Sequence, residues 1–208
     1  MVFKYYDVMN DTFKTIAAPS PGILFKDKNS KFFGSAFPVI TEKELQYHLE
    51  IVRKKHVGAG HFCYAFQLGA EIVQFRANDD GEPKNSAGMP IYGQIQSFGL
   101  TNVLVVIVRF FGGVKLSVGG LVSAHRTTAQ MALEDAEIIK KTINNNFRIS
   151  FDYKNMNKVM RIIKEKNLEI LSQHMDENCR IEIATRKKNA KIIFDIFNSL
   201  FEVEIKKV

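Results

Sequence analysis

The sequence predicts an α+β protein of two domains, residues 1–140 and 141–208. Three observations predict it. The apolar run Val103 to Val108 has the β-branched density of a strand buried on both faces. Gly112, Gly113, Gly119 and Gly120 follow it, and a helical pattern through Leu121, Val122, Ala129 and Leu133 begins after them. From Phe147 onward the segments then alternate in the order βαββαβ, the split-βαβ, ferredoxin-like plan.

Each element has its own reason. Residues 1 to about 40 read as strands, with apolar stretches at Thr12–Ala17, Gly22–Phe25 and Lys31–Ile40. Pro19-Ser20-Pro21 and Asp27-Lys28-Asn29-Ser30 separate them as turn signals. Thr41-Glu42-Lys43-Glu44 is a capping box, and Leu45, Leu49 and Val52 make one face of a helix to Lys55. Strands are predicted at His61–Leu68 and Ile72–Ala77, and a helix over Gly88–Phe98. Arg109 is placed where the central strand leaves the core. Thr142 to Asn146, with three asparagines in a row, reads as the linker.

The second domain is predicted as a strand at Phe147–Tyr153 and a helix at Asn155–Lys166. Strands at Leu168–Met175 and Cys179–Thr185 flank a turn at Asp176-Glu177-Asn178. A helix at Ala190–Leu200 and a strand at Phe201–Ile205 complete it.

Composition narrows the function. The 208 residues are 46% hydrophobic, enough for sizeable cores, and the net charge of +7 suits an anionic partner such as nucleic acid. No apolar run approaches the ~20 residues of a membrane span. The first residues lack signal-peptide architecture, and Cys63 and Cys179 form no C-x-x-C pair, so a cytoplasmic setting without a membrane partner is expected. No cofactor-binding pattern is present, and a catalytic residue is not identifiable.

Two clusters are candidate sites. The first joins the acidic turn, Asp79, Asp80 and Glu82, to Arg109 and the glycine loop with Gly112, Gly113, Lys115, Gly119 and Gly120. Glycine loops and helix starts present free N–H groups to anions. The loop matches neither G-x-x-x-x-G-K-[ST] nor G-x-G-x-x-G, so a tight turn that needs glycine for geometry alone stands beside the ligand-binding reading. The crowded carboxylates need a cation. Pairing with Arg109 and capping of the turn is one solution; a metal site with His61 is another. Cys63 reads as a core thiol, His125 as a possible general base, and Phe110-Phe111 as core or as a base-stacking pair. The second cluster is Arg186, Lys187, Lys188 and Lys191 at the start of the last helix, a candidate nucleic-acid contact or a solvated face.

Several motifs together resemble one family. His61-Phe62-Cys63-Tyr64-Ala65, Asp79-Asp80-Gly81-Glu82-Pro83, Ala87-Gly88-Met89-Pro90-Ile91, Arg109-Phe110-Phe111-Gly112-Gly113, Leu116 and Gly119-Gly120-Leu121 are similar to the signature of the YigZ/IMPACT family. The resemblance implies a ribosomal-protein-S5-domain-2-like fold for the first domain. It implies a ferredoxin-like second domain similar to the last domain of elongation factor G. It also implies a cytoplasmic factor connected with regulation of translation, with RNA or the ribosome as partner. The eukaryotic relatives act on translation through an extra amino-terminal domain that this sequence does not show. Some relatives carry a proline-dipeptidase label, for which this chain has no metallopeptidase ligand set. Lys84-Asn85-Ser86 stands where the family usually has Ser-Gly-Thr. Ser117 replaces glycine, and Ser123-Ala124-His125 replaces a basic residue followed by Ala-Tyr. The other function that the residues allow is a small enzyme or phosphate-ligand-binding protein, with Asp80, Glu82, Arg109 and Lys115 lining a pocket.

Overall fold

The computed structural model describes residues 11–176 and 178–208. The expectations for residues 1–10, strand character and the missing signal peptide, lie outside the described residues. Two compact units are present: residues 13–141, and residues 142–208 together with Asp11 and Thr12. Each is a mixed α+β structure.

The first unit contains strands β1 (Thr12–Ile16), β2 (Ile23–Asp27), β3 (Ser30–Pro38), β4 (His61–Leu68), β5 (Gln74–Asn78), β6 (Val103–Phe110) and β7 (Ile138–Thr142). Its helices are α1 (Glu42–Lys55), α2 (Gly88–Ser97) and α3 (Val118–Glu134). The main sheet runs β2-β3-β6-β4-β5, every neighbour antiparallel. β1 and β7 form a separate ribbon.

Alternation along β6 sorts the core into two layers. Val103, Val105 and Ile107 join Cys63 and Ala65 of β4 beneath α2 and α3, against Ile91, Ile95, Ala124 and Leu133. Leu104, Val106 and Val108 face the other way, with Tyr64, Phe66 and Leu68, against Leu45, Leu49 and Val52 of α1. Each fully buried aliphatic side chain contributes about 1.5–3 kcal/mol, so both faces of β6 are covered, as its unbroken apolar run required. The capping box of α1 is present. Glu44 N–H donates to Thr41 Oγ1 at 3.2 Å, while Glu44 Oε2 reaches back to Ile40 N–H at 2.8 Å, one residue earlier than the usual box.

The second unit contains β8 (Asn144–Asp152), α4 (Met156–Glu165), β9 (Glu169–His174), β10 (Asn178–Arg186), α5 (Ala190–Asn198) and β11 (Val203–Lys207). The antiparallel order β11-β8-β10-β9 is that of a ferredoxin-like sheet. Its core is Ile149, Ile181 and Ile183 from the sheet against Val159, Ile163, Ile193 and Phe197 from the helices.

Four local expectations are corrected. At Arg109, the penultimate residue of β6, the strand has not left the core: the residue is only 5% exposed. Pairing with Phe32 of β3 and His61 of β4 keeps the strand in register through that position. α3 starts at Val118, so Gly119 and Gly120 are its first turn and not a loop, because Ser117 caps it by accepting from Gly120 N–H at 3.2 Å. The asparagine run is no linker. Asn144, Asn145 and Asn146 open β8 opposite Arg186, Thr185 and Ala184, where ladder hydrogen bonds outweigh their low strand propensity. The last strand begins at Val203, not Phe201, since Phe201 and Glu202 form a turn with Glu202 at φ +57°.

Candidate functional site

The acidic turn follows β5 and leads into α2. Its three carboxylates are each engaged by a different part of the first unit. Asp79 Oδ1 accepts from Ala87 N–H at 3.0 Å and Gly88 N–H at 2.8 Å, and Oδ2 from Asn85 N–H at 2.8 Å. The N-cap residue of α2, Ala87, has no side-chain acceptor, so a carboxylate nine residues before Gly88 does that work. Negative charge there also complements the helix dipole. Asp80 Oδ2 accepts from Phe62 N–H at 2.6 Å, and its carbonyl accepts from His61 Nδ1 at 2.8 Å.

Glu82 meets Arg109. Arg109 Nη1 donates to Glu82 Oε1 at 2.7 Å, and the two side chains are only 6% and 3% exposed. Ser30 Oγ, fully buried, accepts weakly from Arg109 Nη2 at 3.4 Å and from Gly112 N–H at 3.3 Å. The guanidinium also lies 5.5 Å from the Phe32 ring and 5.8 Å from the Phe111 ring. The acidic turn, the β2–β3 turn and the start of the glycine loop are thus tied together at one buried arginine. Arg109 Nε and His125 Nε2 have no protein partner there.

The glycines divide by role. A Cβ on Gly112 would stand 2.0 Å from the carbonyl carbon of Asn29, so only glycine lets the loop cross the β2–β3 turn. Gly113 has φ +85°, and Gly119 has open space around it. Lys115 is exposed in the loop. The departures from the family pattern have local explanations. Asn85 takes φ +62°, a conformation asparagine tolerates best after glycine. Ser117 is the α3 cap. His125, wholly buried, has its Nδ1 2.9 Å from Leu121 O and its ring 5.3 Å from Phe32, edge to face.

Other expectations resolve as follows. Cys63 is buried and donates to Asp79 O at 3.0 Å. Burial, then the charges of Glu82, Asp80 and Asp79, pushes its thiol pKa well up, which disfavours a thiolate nucleophile. Burial lowers the pKa of His125. Phe110 packs with the α1-side core at 5.7 Å from Phe33, while Phe111 is 56% exposed. Among the described residues no three His, Cys, Asp or Glu side chains are gathered for a metal ion. His61 lies on the Asp80 carbonyl and 4.0 Å from Glu82 Oε1, but the Asp79 and Asp80 carboxylates are held by backbone N–H groups and Glu82 by Arg109, so these four are not gathered as a ligand set. No helix among the described residues is long and apolar enough to cross a membrane.

In the second unit Arg186 closes β10, Lys187–Asn189 form a 3-10 turn, and Lys191 lies in the first turn of α5. Arg186 Nε pairs with Asp11 Oδ2 at 3.1 Å. Lys188 and Lys191 are exposed, and Lys187 is half-buried with its backbone N–H on Ile143 O at 2.8 Å. Sequence reasoning missed Ser30, which reads as a turn residue; nothing near it in the sequence signals the arginine that it meets 79 positions later.

A sheet covered by helices on both faces and closed at one end by a buried Glu–Arg pair, followed in the chain by a ferredoxin-like unit, defines a two-domain α+β protein of IMPACT type. Residues 28–133 match the Impact N-terminal domain. The chain is 29% identical over 161 residues to the IMPACT family member YvyE of Bacillus subtilis, covering 77% of this chain and 74% of that one. It is 33% identical over 158 residues to an IMPACT family member of Thermus thermophilus, covering 75% and 84%. A solved structure described as a hypothetical protein is similar in fold, with a TM-score of 0.74 and 22% identity over 96% of this chain and 98% of that one. The chain belongs to the YigZ/IMPACT family.

Proposed function

We propose that this protein is a non-enzymatic factor connected with regulation of translation, and that it binds RNA or the ribosome through its second unit. The observation that carries the reading is the group Arg186, Lys187, Lys188 and Lys191, gathered where β10 passes into α5. Cations at a helix start oppose its dipole, so the exposed Lys188 and Lys191 do nothing for α5 and suit an anion outside the protein, while Arg186 beside them also pairs with Asp11. Membership of the family supports the connection with translation. The first unit supports the non-enzymatic reading. Its acidic turn and arginine hold one another, the Cys63 thiol beside them is buried, and the His61 ring is tied to the Asp80 carbonyl.

The test is binding of a labelled RNA hairpin at increasing salt. A protein that neutralises several phosphates loses affinity steeply as salt rises. Arg186→Glu/Lys187→Glu/Lys188→Glu should weaken binding at least tenfold at low salt and flatten the salt dependence. Unchanged binding by that variant overturns the assignment of these residues.

A further inference from the structure

The topology of the second unit brings three separated stretches of sequence to one end. β10 ends at Arg186, opposite the first residue of β8, Asn144. β11 ends at Lys207, opposite Phe147, and Val208 N–H closes on Asn146 O at 3.1 Å. β9 begins with Glu169 opposite Ala184, two residues from Arg186. α4 turns directly into β9, with Leu168 N–H on Ile163 O at 3.0 Å. Its last turn, bearing Lys164 and Lys166, therefore arrives at the same end. Lys164, Lys166, Lys188, Lys191 and Lys207 are all exposed. Of the carboxylates at this end among the described residues, Asp11 is 3.1 Å from Arg186, Glu165 is 3.7 Å from Arg161 and Glu169 is exposed.

The other end of the unit is different. Asp152, Glu202 and Glu204 border a groove of about 590 Å³ there together with Arg180, and Lys154 bridges Asp152 and Glu202. The exposed aromatics of the unit, Tyr153 and Phe201, sit at this acidic end as well. Among the described residues the basic end thus offers cations without an exposed ring on which a base could stack. From Arg186 to Lys207 is three residues along and two strands across, on the order of 14 Å between α-carbons. That is wide enough to engage several charges of a nucleic-acid strand spaced about 3.4 Å along its axis.

From this arrangement we infer that Lys164, Lys166 and Lys207 extend the Arg186–Lys191 group into one surface that binds the sugar–phosphate backbone of RNA end-on, without reading bases. The inference rests on the RNA-binding reading proposed above. It adds that the surface is built by topology from sequence-distant lysines.

The experiment measures fluorescence-anisotropy binding of the full chain to two RNA hairpins of unrelated sequence across a range of KCl concentrations. Lys164→Glu/Lys166→Glu/Lys207→Glu should lose at least tenfold in affinity for both hairpins. Its salt slope should be shallower by about 2, at roughly 0.7–0.9 per lost phosphate contact. Lys164→Glu should lose more than Lys158→Glu, which makes the same charge change at the opposite end of the same helix. A triple variant with wild-type affinity and slope, equal losses from the two single variants, or a strong preference for one hairpin would overturn the inference. If the triple variant binds normally while Arg186→Glu/Lys187→Glu/Lys188→Glu does not, only the extension fails. If the wild-type chain shows no salt-sensitive binding, the underlying RNA-binding reading fails with it. Far-UV circular dichroism verifies that each variant is folded.

Discussion

Replacing Arg109 with methionine tests whether the Glu82–Arg109 pair locks the first unit. Methionine preserves much of the apolar stem beside Phe32, but leaves the Glu82 carboxylate, 3% exposed, without its cation. Removing one partner of a buried pair costs about 3–5 kcal/mol. Loss of the guanidinium over the Phe32 ring adds in the same direction, so about 4 kcal/mol is expected. For a unit of about 130 residues, the unfolding entropy is roughly 0.27 kcal/mol/K, and the melting temperature should fall by about 15 °C. Tyr64 and Tyr92 are buried in this unit while Tyr153 of the second unit is exposed, so near-UV circular dichroism follows the first unit. Glu82→Leu on top of Arg109→Met removes the stranded carboxylate and should recover more than half of the loss, a coupling that a double-mutant cycle measures. A single variant melting within about 3 °C of wild type, or a double variant no better than the single, refutes the reasoning.

Three further outcomes are expected. Asp79→Ala strips an acceptor from the N–H groups of Asn85, Ala87 and Gly88 and should destabilise the first unit by about 2 kcal/mol; hydrogen exchange should accelerate at Ala87 and Gly88 before it does in β6. Gly112→Ala should be strongly destabilising, because its Cβ would overlap the Asn29 backbone, whereas Gly119→Ala, with open space in the first turn of α3, should be neutral or stabilising by up to about 1 kcal/mol in urea unfolding. His125 is held neutral by burial, so its folded pKa lies below its unfolded value of about 6.5. The unfolded chain then binds the extra proton first, and stability present above that value is lost as pH falls, by at most about 1.4 kcal/mol per pH unit from this group; His125→Tyr should flatten the fall in urea midpoint between pH 7 and pH 5.

Much of the site was legible as residue types and little of it as geometry. The acidic turn, Arg109 and the glycines stood out because carboxylates crowd one another and glycines cluster only for a reason. Which carboxylate would meet the arginine was not legible: Asp79, Asp80 and Glu82 are chemically near-equivalent, and the positive φ at Asp80 and Gly81 decides where each points. The place of Arg109 within β6 was misread because a charge at the end of an apolar run looks like an exit. Pairing with Phe32 and His61 on both sides keeps it in the sheet.

The amino-acid sequence by itself determined the element types and most of their spans. Period-2 and period-3.6 apolar patterns set which side chains can be buried together, and that constraint is local. It also determined the family, through short motifs at fixed spacing. Only the tertiary structure decided the partners: Ser30 with Arg109, Asp79 with the start of α2, and Asp11 with Arg186. Such contacts join positions tens of residues apart, and their energy depends on burial and on strand order, which no local pattern encodes.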